Sequence, residues 1–258
     1  MRVLIVGGTS GIGWALAEHY LSAGNEVAVC GRDTSKVEVN KIGASKIGAN
    51  KVKPGANFDS TKLKLFSVNV TDRCALQTVV DEYAHEPIDL VIVSAGFYFN
   101  NRHHPLDEAT TLRMLQTNVG GLNTVFELCS EKMLSQRSGH LVAIASVAGL
   151  LKDYPSASLY SACKRSVIQL CETYRIALHP FGIRVTTIIP GYINTAKLRE
   201  LNNGDASKKP FLLSEVDAVI KITLAIEQKQ SVAIFPWQMR SAIWLMNRLP
   251  RWVLAMRS

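Results

Sequence analysis

What this sequence lacks narrows it before any motif is read. Cysteine is sparse: Cys30, Cys74, Cys129, Cys163 and Cys171 are scattered, odd in number and never spaced C-x-x-C. That scatter argues against a disulfide framework or a cysteine zinc site, and it suggests a reducing, cytoplasmic compartment. No uninterrupted apolar run approaches the roughly 18 residues that a spanning helix needs. The run VLIV behind Met1 is too short for a signal peptide and leads straight into glycines. Acids are outnumbered, 21 against 29 Lys and Arg, which leaves a formal charge of +8. Such an excess suits nucleic acid, an anionic lipid surface or an anionic cofactor. No zinc finger, RNA-binding aromatic motif or basic–aromatic stripe accompanies it, so no nucleic-acid partner is expected. His103 and His104 have no carboxylate or cysteine cluster beside them and read as a surface pair, so no metal site is expected.

What is present is a long alternation. The chain has 258 residues, 47% of them hydrophobic, enough for one substantial core. Short β-branched runs (RVLIVGG, EVAVCGR, LKLFSVNV, IDLVIVSAG, GHLVAIAS, IRVTTIIPG, SVAIFP) alternate with amphipathic stretches. The first stretch closes at Gly24, the second is capped at Thr71, and a long helix spans about Asp107 to Gln136. Seven buried strands with intervening helices predict an α/β fold: a doubly wound, Rossmann-type parallel sheet covered on both faces. Residues 1–235 read as one domain, with 236–258 as its helical tail. The Lys- and Gly-rich segment 37–62, with its near-repeat KIGASKIGANK, is long for a crossover and reads as a solvated surface excursion.

The first strand runs into Gly7-Gly8-Thr9-Ser10-Gly11-Ile12-Gly13, which opens the first helix. Glycines there permit a tight turn and let backbone amides approach a pyrophosphate. In dinucleotide enzymes an acid at the end of the second strand bonds the ribose 2′-hydroxyl, whereas an arginine accommodates a 2′-phosphate. This chain reads Cys30-Gly31-Arg32-Asp33. Arg32 comes first after the strand and offers a bidentate phosphate ligand, which favours NADP(H) over NAD(H). Asp33 is the rival, unless Asp33-Thr34 begin a helix.

Tyr160 and Lys164, in LYSACKRS, stand four apart on one face of a helix. A lysine beside a phenol favours the phenolate, although chance Y-x-x-x-K pairs are common. Ordered context changes that weighting. From residue 1 to about 235 the chain resembles the short-chain dehydrogenase/reductase family. The family's glycine loop matches Gly7, Gly11 and Gly13; its stretch after the fourth strand matches Val93-Ser94-Ala95-Gly96; its helix asparagine matches Asn118. Its serine matches Ser146, its Tyr-x-x-x-Lys matches Tyr160 and Lys164, and its Pro-Gly motif matches Pro190 to Thr195. Three departures stand out: Val6 for a threonine, Asn69 for an aspartate that faces the adenine, and Ser94 for a strand-steadying asparagine.

The resemblance implies a nicotinamide enzyme of small-molecule carbonyls or alcohols. Tyr160 would donate or accept the proton, and Lys164 would lower its pKa and hold the nicotinamide ribose. Ser146 would hydrogen-bond the substrate oxygen, and Asn118 would steady a water that relays protons to Lys164. Cofactor contacts would come from Gly7, Thr9, Ser10, Gly11, Ile12 and Gly13, from Arg32, Asn69 and Val70, and from Ala95 and Gly96. Tyr160, Lys164, Pro190, Gly191, Ile193 and Thr195 would complete the set. NADPH-dependent ketone reduction leads, with a homo-oligomer expected. An NAD-dependent alcohol or hydroxysteroid dehydrogenase and a non-catalytic nucleotide-sensing scaffold are the alternatives. Cys163, inside the motif, reads as packing.

The tail 236–258 falls outside this pattern. It holds Trp237, Trp244 and Trp252, three of four tryptophans, with Arg240, Arg248, Arg251 and Arg257, and no acid follows Glu227. Pro250 divides it into two short helices with the composition of an interfacial anchor. Peripheral membrane contact and a hydrophobic, lipid-like substrate are the expectations.

Overall fold

The computed structural model describes residues 1–35, 37, 58–98, 107–151 and 158–248. Seven strands are present: β1 Arg2–Val6, β2 Glu26–Gly31, β3 Leu63–Ser67, β4 Leu90–Val93, β5 Gly139–Ile144, β6 Ile183–Pro190 and β7 Val232–Phe235. They form one sheet in the order β3-β2-β1-β4-β5-β6-β7. Every pairing is parallel, with Val3 flanked by Val27 on one side and Leu90 on the other. The strand order reverses between β1 and β4. In an open α/β sheet that switch point leaves a crevice beyond the carboxyl ends of the strands, where ligands bind.

Among the described residues eight α-helices cover the sheet: α1 Gly11–Ser22, α2 Arg73–Tyr83, α3 Glu108–Leu115, α4 Gly121–Gln136, α5 Leu159–Leu178, α6 Ala196–Glu200, α7 Glu215–Glu227 and α8 Trp237–Met246. Strand side chains alternate faces, and the core divides accordingly. Val3, Ile5, Ile92, Val142 and Ile188 pack with Leu16 of α1 and Ile222 of α7. Leu4, Val6, Val91, Val93, Leu141 and Ile189 pack with Leu76 of α2, Phe126 of α4, Val167 of α5 and Ile243 of α8. Burial on both faces is why these strands read as unbroken apolar runs.

Several local expectations need correction. Helix α2 is capped by Asp72, whose side chain accepts from the Ala75 amide, rather than by Thr71. The region 107–136 is not one helix: α3 and α4 are joined by a π turn at Gln116–Gly120. Asp33 and Thr34 start no helix; the Asp33 carboxylate accepts from the Ser35 amide at 3.1 Å and hydroxyl at 2.5 Å, closing a local turn. Gly24 does close α1, with φ +79. His103, His104, most of segment 37–62 and residues 249–258 lie outside the described residues.

Candidate active site

The site grows from the strand exits at the switch point. Gly7, at φ +84, brings the end of β1 so close to the end of β4 that a Cβ would sit 2.3 Å from the Ala95 amide nitrogen. No other residue fits there. The Ser94 and Ala95 amides donate to the Val6 carbonyl at 2.8 and 2.9 Å, locking the two exits together. Gly13 lets α1 pack down: a Cβ would meet the Gly7 carbonyl oxygen at 2.2 Å. Gly11, by contrast, faces open space, with Thr195 the nearest side chain at 3.8 Å from its hypothetical Cβ. Ser10 is exposed and makes no side-chain cap, and no acid occupies the first turn. The first amides of α1 therefore lie open at the positive end of the helix dipole, the arrangement that takes an anion. These residues fit a pyrophosphate.

The exit of β2 lies alongside. Gly31 leaves the space that Thr9 occupies, since a Cβ would lie 2.5 Å from its methyl. Arg32 is exposed, its carbonyl accepting from the Ser67 hydroxyl at 3.2 Å. At the exit of β3, exposed Asn69 accepts from the Thr71 amide at 3.3 Å, and Val70 packs beneath Gly121. Past β6, the Gly191 amide donates to the Phe235 carbonyl at 2.8 Å. Ile193, buried, bridges to Leu213, and Thr195 caps α6 by accepting from the Leu198 amide. Pro190 ends β6.

Ser146, Tyr160 and Lys164 converge from β5 and α5. Ser146 follows β5 and caps the 3-10 turn Val147–Leu150, accepting from the Ala148 amide at 3.2 Å. Tyr160 sits in the first turn of α5, which Ser158 caps by accepting from the Ser161 amide. The Ser146 side chain bears on the Tyr160 phenol and favours its ionised form. Lys164, buried one turn on, donates from Nζ to the Ile144 carbonyl at 3.0 Å, and its nitrogen lies 5.8 Å from the Tyr160 ring centre. A Cβ on Gly96 would approach that nitrogen to 3.7 Å, so the β4 exit also borders the lysine.

Electrostatics revise one expectation. Burial pushes the Tyr160 phenol up to about 12, only partly offset by the Ser146 side chain. Burial pulls Lys164 down to about 8. The lysine does not depress the tyrosine in this state, because desolvation outweighs a charge that points at the Ile144 carbonyl instead. The Asn118 side chain is likewise committed elsewhere. It accepts from the Phe97 amide at 3.2 Å and donates to the carbonyls of Phe97 at 2.7 Å and Met114 at 3.0 Å. Its amide thus holds the loop beyond β4 against the π turn. Cys163 is buried beside the Met114 carbonyl.

Sequence reasoning passed over two aromatic neighbours. Tyr98 meets the Tyr160 ring edge-on at 4.9 Å. Tyr192 also bears on the Tyr160 phenol, and the Lys209 ammonium lies 5.4 Å from the Tyr192 ring centre. Their positions just past Gly96 and Gly191 were the available signal, since both follow strand exits at the crevice. Among the described residues no three His, Cys, Asp or Glu side chains gather as metal ligands, and no helix is long and apolar enough to cross a membrane.

Comparison with known proteins gives the family. A family model described as short chain dehydrogenase matches residues 1–206. The chain is 27% identical over 215 residues to dehydrogenase/reductase SDR family member 7B of Xenopus laevis, covering 80% of this chain but only 62% of that protein's length. It is 28% identical to an uncharacterized oxidoreductase of Mycobacterium tuberculosis, over 92% of this chain and 88% of the other. A short-chain dehydrogenase structure from Burkholderia cenocepacia in complex with NADP superposes with a TM-score of 0.76 at 19% identity, over 99% of this chain and 96% of that one. The chain belongs to the short-chain dehydrogenase/reductase family of oxidoreductases.

Proposed function

We propose that the protein reduces a hydrophobic ketone to an alcohol with NADPH. The observation that carries this reading is the cluster of Ser146, Tyr160 and Lys164, with the Ser146 side chain bearing on the Tyr160 phenol and Lys164 one turn beyond. A phenol with a pKa near 12 is protonated at neutral pH and ready to donate. When bound, the cofactor supplies the hydride. The protein's part is to meet the negative charge that then develops on the carbonyl oxygen. Ser146 Oγ orients that oxygen and Tyr160 Oη delivers the proton to it. Lys164, charged below about pH 8, provides an ammonium beside the phenol and a donor for the ribose hydroxyls. Asn118 positions the Gly96–Phe97 backbone that edges this space.

Cofactor choice rests on the exit of β2. Arg32 is exposed where a 2′-phosphate would lie, while the Asp33 carboxylate is engaged by Ser35. The Burkholderia protein described with NADP bound supports the same choice. Tyr98 and Tyr192 around Tyr160 favour an apolar substrate body. Residues 1–235 work as one catalytic unit in this reading. The test is initial-rate turnover with NADPH and with NADH against ketones of increasing chain length. The reading requires NADPH to exceed NADH in kcat/KM and long chains to exceed short ones. Preferred use of NADH, or oxidation of alcohols alone, sinks it.

A further inference from the structure

Helix α8 has two unlike faces. Met239 and Ile243 are buried in the core shared with α4 and α5, and Met246 packs against them. The helix is also tied to the site. Asn247 Nδ2 donates to the Leu150 carbonyl at 2.8 Å, in the turn that Ser146 caps. Met239 lies beside Gly191, 3.6 Å from where a Cβ would stand. The opposite face carries Trp237, Arg240, Ser241, Trp244 and Leu245, and Arg248 in the turn that follows the helix continues it, all exposed. Trp237 is 70% exposed, Trp244 54% and Leu245 57%. The Arg248 guanidinium stacks 3.6 Å from the centre of the Trp244 ring. At helical spacing, positions 237, 241, 244 and 248 form one stripe.

An outward stripe of tryptophan and arginine on a short helix is not the polar exterior of an ordinary surface helix. We propose that this face of α8 docks on an anionic lipid bilayer surface. Tryptophans would enter the headgroup–acyl boundary while the arginines engage anionic headgroups. Charge selects this occupant over a second copy of the chain. A two-fold contact through α8 would set Arg240 and Arg248 against their own copies. No acid occurs from Gln228 to Ser258 to relieve that repulsion, and like charges facing each other oppose such an interface. Because α8 is bonded to the turn after Ser146, docking would present the substrate side of the crevice to the membrane. Only that consequence rests on the proposed ketone reduction; docking itself does not.

The test is co-sedimentation of the full chain with vesicles of phosphatidylcholine alone and of phosphatidylcholine with about 30% phosphatidylserine. Expected are binding to the anionic vesicles, little to the neutral ones, and release at high salt. The Trp237→Ser/Trp244→Ser variant should lower partitioning about tenfold or more. Arg240→Gln/Arg248→Gln should abolish the preference for anionic lipid. Ile220→Ser/Leu224→Ser, on the exposed side of α7, should bind as the parent does. Melting temperatures of all variants verify folding, and the arginine pair tests the idea even if the tryptophan pair melts. The proposal is overturned if the parent ignores anionic vesicles, if the arginine pair binds unchanged, or if light scattering shows that the tryptophan pair dissolves an oligomer without changing lipid binding. Turnover of a short, water-soluble ketone with NADPH is measured alongside. Its absence in the parent would refute the catalytic reading and leave the docking result standing.

Discussion

The two edges of the one sheet are built in opposite ways. At the amino edge, polar groups are spent on one another. The Arg2 amide donates to Asp89 at 2.7 Å and its guanidinium to the Tyr83 carbonyl at 2.9 Å. Gln136 brackets Ile88, accepting from its amide and donating to its carbonyl. The Thr186 hydroxyl donates to the Gln230 carbonyl and accepts from His140 Nε2, which sets the imidazole tautomer. At the carboxyl edge β1, β2 and β6 run out into glycines, and Ser10 and Arg32 stand exposed. One edge bonds mostly to itself and stabilises; the other keeps donors in reserve for a ligand. Damage at the two edges should therefore register in different measurements.

The largest expected effect is at the carboxyl edge. Tyr160→Phe should cut kcat by roughly 10²–10⁴, since general acid catalysis is worth about that much, with cofactor affinity and melting temperature nearly unchanged. Retained turnover would show that another group delivers the proton. Arg32→Ala should raise the KM for NADPH about ten- to a hundredfold, as a charged bidentate contact is worth roughly 1.5–3 kcal/mol. NADH kinetics and thermal stability should stay as they were, and equal losses with both cofactors would remove Arg32 from 2′-phosphate recognition.

The reverse pattern belongs to the amino edge. Gln136→Ala leaves the amide and carbonyl of Ile88 without their partners and should cost about 1–3 kcal/mol of stability in denaturant unfolding, with kcat/KM intact. The smallest effect is acid sensitivity. Burial, with Arg184 and Lys229 nearby, holds His140 down at about 4. A folded-state pKa below the unfolded value of about 6.5 means that between pH 6.5 and 4 the unfolded chain binds the extra proton. Stability should fall as pH drops through that window, by about 1–2 kcal/mol between pH 7 and 5. His140→Gln should flatten that slope without altering activity at pH 7; an unchanged slope would move the effect to another group.

Much of the fold was legible because two local signals agreed: seven β-branched runs, and glycines at or just past the ends of four of them, Gly7, Gly31, Gly96 and Gly191. What stayed hidden depends on distant partners. Thr71 and Asp72 are both competent caps, and only the geometry of the turn selects Asp72. The π turn at Gln116–Gly120 left no trace in periodicity, because Asn118 bonds to Phe97 across a gap of 21 residues. Lys164 was legible as a residue but not as a contact, since its partner is a backbone carbonyl that any sequence would supply. Tyr98 and Tyr192 were marked only by their places just past Gly96 and Gly191, a signal of position and not of contact.

The end of β5 measures α5 at two points. Ile144 receives Lys164 through its carbonyl, and two residues later the Ser146 side chain stands against the Tyr160 phenol. Both readings come off one short ruler. If the helix drifts along its axis, tyrosine, lysine and serine lose alignment together rather than one at a time, so positional error in this site is common-mode. Evolution or engineering can then retune the crevice from the loops beyond β4 and β6 while Ser146, Tyr160 and Lys164 keep their own calibration.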